Sequence, residues 1–206
     1  LHIIAGASDH DQRREEIAAA VLRVVARDGV RGVTMRDIAA EAGWSTGVLN
    51  HYFASKQDLL VGGLRQAARE VGKNVSRTMK QKTGRDQLRA ILEEGMPLDG
   101  RRRALCKIFF SFWAEGVSDP DLGAELATYY DWWRDRVQRA IERGQSEGWV
   151  VDFDSQKLAE MLLALADGVS VQATFSRRKL SKQRQQAHVE EWIKFLGPAE
   201  ESRGSD

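Results

Sequence analysis

Scarcity says the most about this chain at first sight. Proline occurs only 3 times in 206 residues, which suits mostly helical structure and leaves no proline-rich linker. One cysteine, Cys106, excludes an internal disulfide and fits a reducing cytoplasm. It sits among Phe and Leu, a setting for an inert thiol rather than a nucleophile. The histidines His2, His10, His51 and His188 are scattered, with no helical pair to hold zinc, so neither a metal nor a cofactor is expected. No apolar run approaches the roughly 20 residues of a membrane span. Leu1–Ala5 is too short for a signal core and lacks a basic start. The expectation is a cytoplasmic protein without membrane contact. The net charge is only +1, so contact with a polyanion must come from a local patch. No strand pattern is present for a glycine-rich phosphate loop to follow, and no acid–base pair can be assembled. An enzyme is therefore not expected.

Hydrophobic residues make up 42% and charged residues 30%, and the apolar ones recur at helical spacing. The spacing predicts an all-α chain of about nine helices, with no repeat or low-complexity block. A first helix starts at Asp9, buries Ile17, Ala20, Val21, Val24 and Val25, and stops at Gly29; Arg13 and Arg14 stand at its entrance. A long helix follows Ser55, with a bend expected at Gly62–Gly63, and a shorter one carries Leu88, Ile91 and Leu92. The next, through Leu105, Ile108, Phe109, Phe110, Phe112 and Trp113, has no polar face and is expected at the centre of a second domain. Three more carry Leu122 to Ile141, Leu158 to Ala173, and Val189 to Leu196.

The stretch from Thr34 to Lys56 organises the rest. Thr34 caps a helix whose narrow apolar face is Ile38, Ala39 and Ala42, and Gly43 ends it. Ser45 caps a short second helix with Val48 and Leu49 inward. Its outward residues Thr46, Gly47, Asn50 and His51 are small or hydrogen-bonding, unusual in a chain this rich in Lys, Arg and Glu. Two helices joined by a tight glycine turn make a helix-turn-helix, whose second helix enters a major groove; a plain helical hairpin is the bland alternative. Asn50-His51-Tyr52-Phe53 and then Ser55-Lys56, behind Thr34-Met-Arg-Asp-Ile-Ala39, resemble the tetracycline-repressor (TetR) family of bacterial regulators. The wording Ser45 to Phe53 is most similar to the subgroup of the choline-responsive repressor of glycine-betaine synthesis.

The resemblance implies a three-helix DNA-binding domain at 9–53, a helical ligand-binding and dimerisation domain at 54–197, and flexible termini at 1–8 and 198–206. It places Arg36, Thr46, Gly47, Asn50, His51, Tyr52 and Lys56 at the family's DNA-contacting positions. Thr46 and Asn50 suit base edges, and Arg36, Tyr52 and Lys56 suit phosphates. It also implies a cavity near Phe109, Phe112, Trp113, Tyr129, Trp132 and Trp133. Asp167 interrupts an apolar helix and is either a wet helix edge or part of that pocket. The ligand is a small organic inducer, either cationic and choline-like or uncharged. Leu162, Val169, Val189, Trp192, Ile193 and Leu196 are the candidate homodimer face. The function implied is a ligand-responsive repressor that binds a palindromic double-stranded DNA operator as a dimer. The rival is a helical module that acts through protein partners without reading DNA.

Overall fold

A computed structural model describes residues 9–176 and 178–198; of the termini expected to be flexible, 1–8 and 198–206, all but residue 198 lie outside the described residues. Among the described residues there are nine α-helices and no strand: α1 Asp9–Gly32, α2 Met35–Ala42, α3 Thr46–Tyr52, α4 Lys56–Gln81, α5 Gly84–Glu94, α6 Gly100–Gly116, α7 Pro120–Ser146, α8 Ser155–Phe175 and α9 Lys182–Phe195. Helix boundaries have local causes. At α2 the Thr34 hydroxyl accepts from the Asp37 N–H, while the Asp37 carboxylate accepts from the Thr34 N–H. Gly43, at φ 73°, ends α2 in the left-handed region that a Cβ disfavours. The Ser45 hydroxyl accepts from the Val48 N–H, Ser55 from Asp58, Asp119 from Leu122, and Ser181 from Arg184. Asp154 caps α8 through the N–H groups of Gln156 and Lys157. Such caps contribute about 1 kcal/mol each.

Packing groups the chain into two compact units that do not follow chain order. One holds the described residues up to Gly72 together with Ala104–Tyr129; the other holds Lys73–Arg103 and the chain from Tyr130 on. Helices α4, α6 and α7 contribute to both. From Ala104 onward α6 belongs to the unit of the helix-turn-helix, and Phe110 and Trp113 on it are only half-buried.

In the first unit α1 packs on α2 and α3. Ile17, Val21, Val24, Ile38 and Leu49 are fully buried. Phe53, just past α3, is seated by the glycine pair of α4. A Cβ on Gly62 would lie 2.7 Å from the Phe53 ring, and one on Gly63 would lie 2.6 Å from Val21. The glycine pair does not interrupt α4, which runs as one helix from Lys56 to Gln81; the glycines thin it. The α6–α7 corner is tied to the rest of the unit by Arg31–Glu115 at 3.1 Å, Gln57–Asp119 and Arg65–Glu125.

In the second unit α5 packs on α8 and α9, and α8 packs on α9. Gln87, a buried polar residue, donates to the carbonyls of Met79 and Lys82 at 2.9 and 2.8 Å, satisfying the end of α4. Against the expectation that no segment approaches a membrane span, α8 is long and apolar enough by length and composition. Its Ala159, Leu162, Leu163, Ala166 and Ala173 are buried in helical packing, while Met161, Leu165 and Phe175 stay exposed. Helix α8 is thus apolar on two faces, one of which the protomer covers.

The glycine pair gives a direct test. Alanine at 63 gains about 1 kcal/mol of helix propensity, but overpacking against Val21 costs about 1–3 kcal/mol. Gly63→Ala is expected to lower stability in urea unfolding. A gain of about 1 kcal/mol would show that close packing does not need this glycine.

Candidate functional site

Helix α3 is only 7 residues long, and it is held at both ends. Its start is capped by Ser45; its end is held by Arg14, whose Nη1 donates to the Tyr52 carbonyl at 2.6 Å. The same guanidinium lies 4.5 Å over the Phe53 ring. A cation at a helix C-terminus opposes the partial negative charge there. Arg14, at the entrance of α1, therefore braces α3. Leu49 faces the core, and Thr46, Gly47, Asn50 and His51 are exposed together on the opposite side. Arg36 on α2 and Lys56 at the start of α4 are exposed as well. Tyr52 is half-buried, with its ring 4.8 Å from His10, 5.2 Å from His51 and 6.1 Å from Trp44.

Two neighbours of this face, His10 and Trp44, escape a sequence reading of the turn, and Arg13 from the entrance of α1 joins them. Arg13 lies 5.4 Å over Trp44, and a hydrogen bond with Tyr52, then attraction to Asp9, hold its guanidinium charge more firmly. The only signal in the sequence was the helical spacing that sets His10 and Arg13 on one side of α1. The approach of α1 to Tyr52 is long-range and leaves no local mark. A short, polar, exposed helix flanked by Arg13, Arg36 and Lys56 can offer hydrogen-bonding groups to a groove and cations to phosphates.

The expected ligand residues divide between the two units. Phe109, Phe112, Trp113 and Tyr129 belong to the first, where Phe112 is fully buried and Phe109 stacks on Tyr129 at 4.5 Å. Trp132, Trp133 and Asp167 belong to the second. There the Tyr130 hydroxyl donates to the Asp167 carboxylate at 2.9 Å. Trp133, one turn on, is buried with its ring against Gly95 at the end of α5. Ser170, one turn beyond Asp167, donates to the Gly95 carbonyl at 3.3 Å. Trp132 turns outward beneath Arg136, 5.3 Å from its ring. Asp167 is half-buried, and this burial pushes its carboxyl up to about 6, against the opposing effect of the Tyr130 hydrogen bond. Among the described residues no cation pairs with it. A half-buried carboxylate without its own counter-charge can take a cation as its partner.

The expected dimer face needs correction. Leu162, Val189, Ile193 and Leu196 are buried in their own protomer, and only Val169 and Trp192 of the six are partly open. The outward apolar residues are Met161 and Leu165, at 59% and 45% exposure, with Phe175 and Phe195 at 83% and 80%. Periodicity found apolar residues on α8 and α9 but could not say which of two apolar faces the protomer itself covers.

A helix-turn-helix with an exposed polar second helix, joined to a helical body with a buried acid, defines a DNA-binding regulator. Comparison with known proteins supplies the family. Residues 17–61 match the bacterial regulatory proteins of the tetR family, and residues 84–197 match the C-terminal domain of BetI-type transcriptional repressors. The chain belongs to the TetR family of transcriptional regulators, with a BetI-type C-terminal domain. It is 28% identical over 178 residues to the transcriptional regulator PksA of Bacillus subtilis, covering 85% of each chain. It is 27% identical over 182 residues to BetI of Agrobacterium fabrum, covering 88% of this chain and 86% of that one. A transcriptional regulator from Saccharomonospora viridis, solved in complex with choline, superposes with a TM-score of 0.80 at 28% identity, over 88% of this chain and 95% of that one. The chain is therefore a transcriptional regulator and not an enzyme, and the rival reading of a module that does not bind DNA falls away.

Two outcomes follow from this geometry. Lys56→Ala should weaken binding to all duplexes about equally, since a phosphate carries no sequence information, whereas Asn50→Ala should flatten preference at one or two base pairs. Identical profiles across an operator library would contradict these roles. Asp167 also makes stability depend on pH. Its native carboxyl holds a proton up to about 6 rather than the ordinary 3.8. The favourable contribution of this group is thus complete below pH 3.8 and lost as pH rises through about 6. Relative to wild type, Asp167→Asn should gain up to roughly 3 kcal/mol between pH 3.5 and 7 in urea unfolding. A difference that does not vary with pH would contradict the burial of this charge.

Proposed function

We propose that the protein represses transcription from a palindromic operator as a homodimer and is released by a small quaternary ammonium ligand of the choline type. The observation that carries the ligand class is Asp167: a half-buried carboxylate that accepts from Tyr130, with no cation of its own among the described residues. A carboxylate supplies the charge and an aromatic ring the cation–π face, worth about 0.5–2 kcal/mol. The choline held by the regulator from Saccharomonospora viridis supports the same class. A cytoplasmic location goes with this reading.

For dimerisation, the exposed Met161, Leu165, Phe175 and Phe195 of α8 and α9 replace the buried residues first expected. Paired with the same helices of a second protomer, they would form a four-helix interface of isologous symmetry. One reading helix per chain then gives two half-sites about one helical turn, roughly 34 Å, apart. Leu165→Asp with Phe195→Asp should give monomers in sedimentation and lose operator binding. A double variant that remains dimeric would remove this face from the proposal.

The ligand is tested by titrating the repressor–operator complex with choline. Release should require at least about tenfold more choline for Asp167→Asn than for wild type, as expected when a charge-assisted contact is lost. Potency toward wild type should fall as pH drops below about 6, where the carboxyl takes up its proton. Equal concentrations releasing both proteins would place the cation elsewhere.

A further inference from the structure

Along α7, in the second unit, Arg136, Arg139 and Arg143 line an open cleft of about 430 Å³ together with Met79, Glu142 and Ser146. The lining carries three guanidinium groups and one carboxylate. That carboxylate is engaged: Glu142 accepts from Gln138 at 2.9 Å and from Ser155 at 3.2 Å. Two of the three guanidinium groups are fixed by the helix itself through Nε. Arg139 Nε donates to Asp135 at 2.9 Å, and Arg143 Nε donates to the Arg139 carbonyl at 3.3 Å. Arg136 is pinned differently. It lies 5.3 Å over the Trp132 ring, its Nε is buried without a partner, and its nearest carboxylate oxygen, on Asp135, is 3.8 Å away. Solvated surface arginines swing freely. These three are tethered near their stems, which leaves their forked ends as donors around one concavity. Planar forks of this kind match the oxygens of a phosphate group.

We propose that this cleft is a second binding site, for a small phosphate-bearing anion such as a phosphate monoester. The forks of Arg139 and Arg143 hold the phosphate oxygens, Arg136 adds charge from its seat on Trp132, and the Met79 side chain provides an apolar wall for the rest of the ligand. The site is independent of the operator face and of the Asp167 carboxylate, which selects the opposite charge. The same phosphate chemistry could also come from a DNA backbone, so the test separates the two sources.

The experiment uses the full chain, with inorganic phosphate as the probe, at fixed ionic strength and with chloride as the reference. Saturable binding in calorimetry is expected, with a rise in thermal midpoint that chloride does not produce, since a ligand that binds only the native state stabilises it. Arg139→Gln with Arg143→Gln, both exposed residues, should weaken phosphate binding at least about tenfold, with the unfolding midpoint in phosphate-free buffer unchanged. Operator affinity of this double variant, measured without phosphate, should match wild type. Three results would overturn the proposal: phosphate acting no differently from chloride, phosphate binding that survives in the double variant, or a parallel loss of operator affinity that marks the arginines as DNA contacts. None of them would disturb the operator reading, which the Lys56 and Asn50 variants test separately.

Discussion

A helix of 7 residues does not hold itself together in water, and the reading helix α3 is that short. Its existence depends on the seat of Phe53. The ring closes against α4 because Gly62 has no side chain to stand in its way, and Arg14 covers it from above while bonding the last carbonyl of the helix. Leu49, fully buried one turn earlier, completes the anchor. With the inner face so fixed, the outer face is free to be small and polar. Thr46, Gly47, Asn50 and His51 contribute little to the core, and the space they leave is available to a DNA groove.

The same economy of charge appears in the second unit. The chain is nearly neutral overall, so its recognition must be made from local groups. At Asp167 the protein half-buries a carboxylate with one hydroxyl donor, and this costs stability at neutral pH. A cost of that kind persists in a fold when the group has a role. On the proposed reading a cationic ligand would remove it, and a preference for one conformation is the only lever a ligand has on DNA affinity. Coupling of about 1–3 kcal/mol is the usual scale.

Much of this was legible in the residues. The caps at Thr34, Ser45, Ser55 and Ser181 and the glycine at 43 mark helix ends by local chemistry, and the structure has those ends. The outward residues of α3 also follow from periodicity alone. What periodicity cannot carry is the choice between two apolar faces, and so four core residues of α8 and α9 stood in for the exposed Met161, Leu165, Phe175 and Phe195. It also cannot carry contacts across long separations. Arg14 on Phe53, Tyr130 on Asp167, and the ties that join the α6–α7 corner to the first unit are all of that kind. The apolar character of α6 is legible in the residues, but not what covers it, since hydrophobicity says that a helix is covered and not by what.

The central claim is that a nearly neutral chain reads DNA through one small polar helix per protomer. Operator affinity measured across a range of salt concentrations tests it most directly. A palindromic genomic duplex should bind tightly at low salt, and log affinity should fall linearly with log salt, with a slope set by phosphate contacts from both protomers. Failure of every genomic duplex to bind at low salt, or affinity that does not respond to salt, would contradict the account.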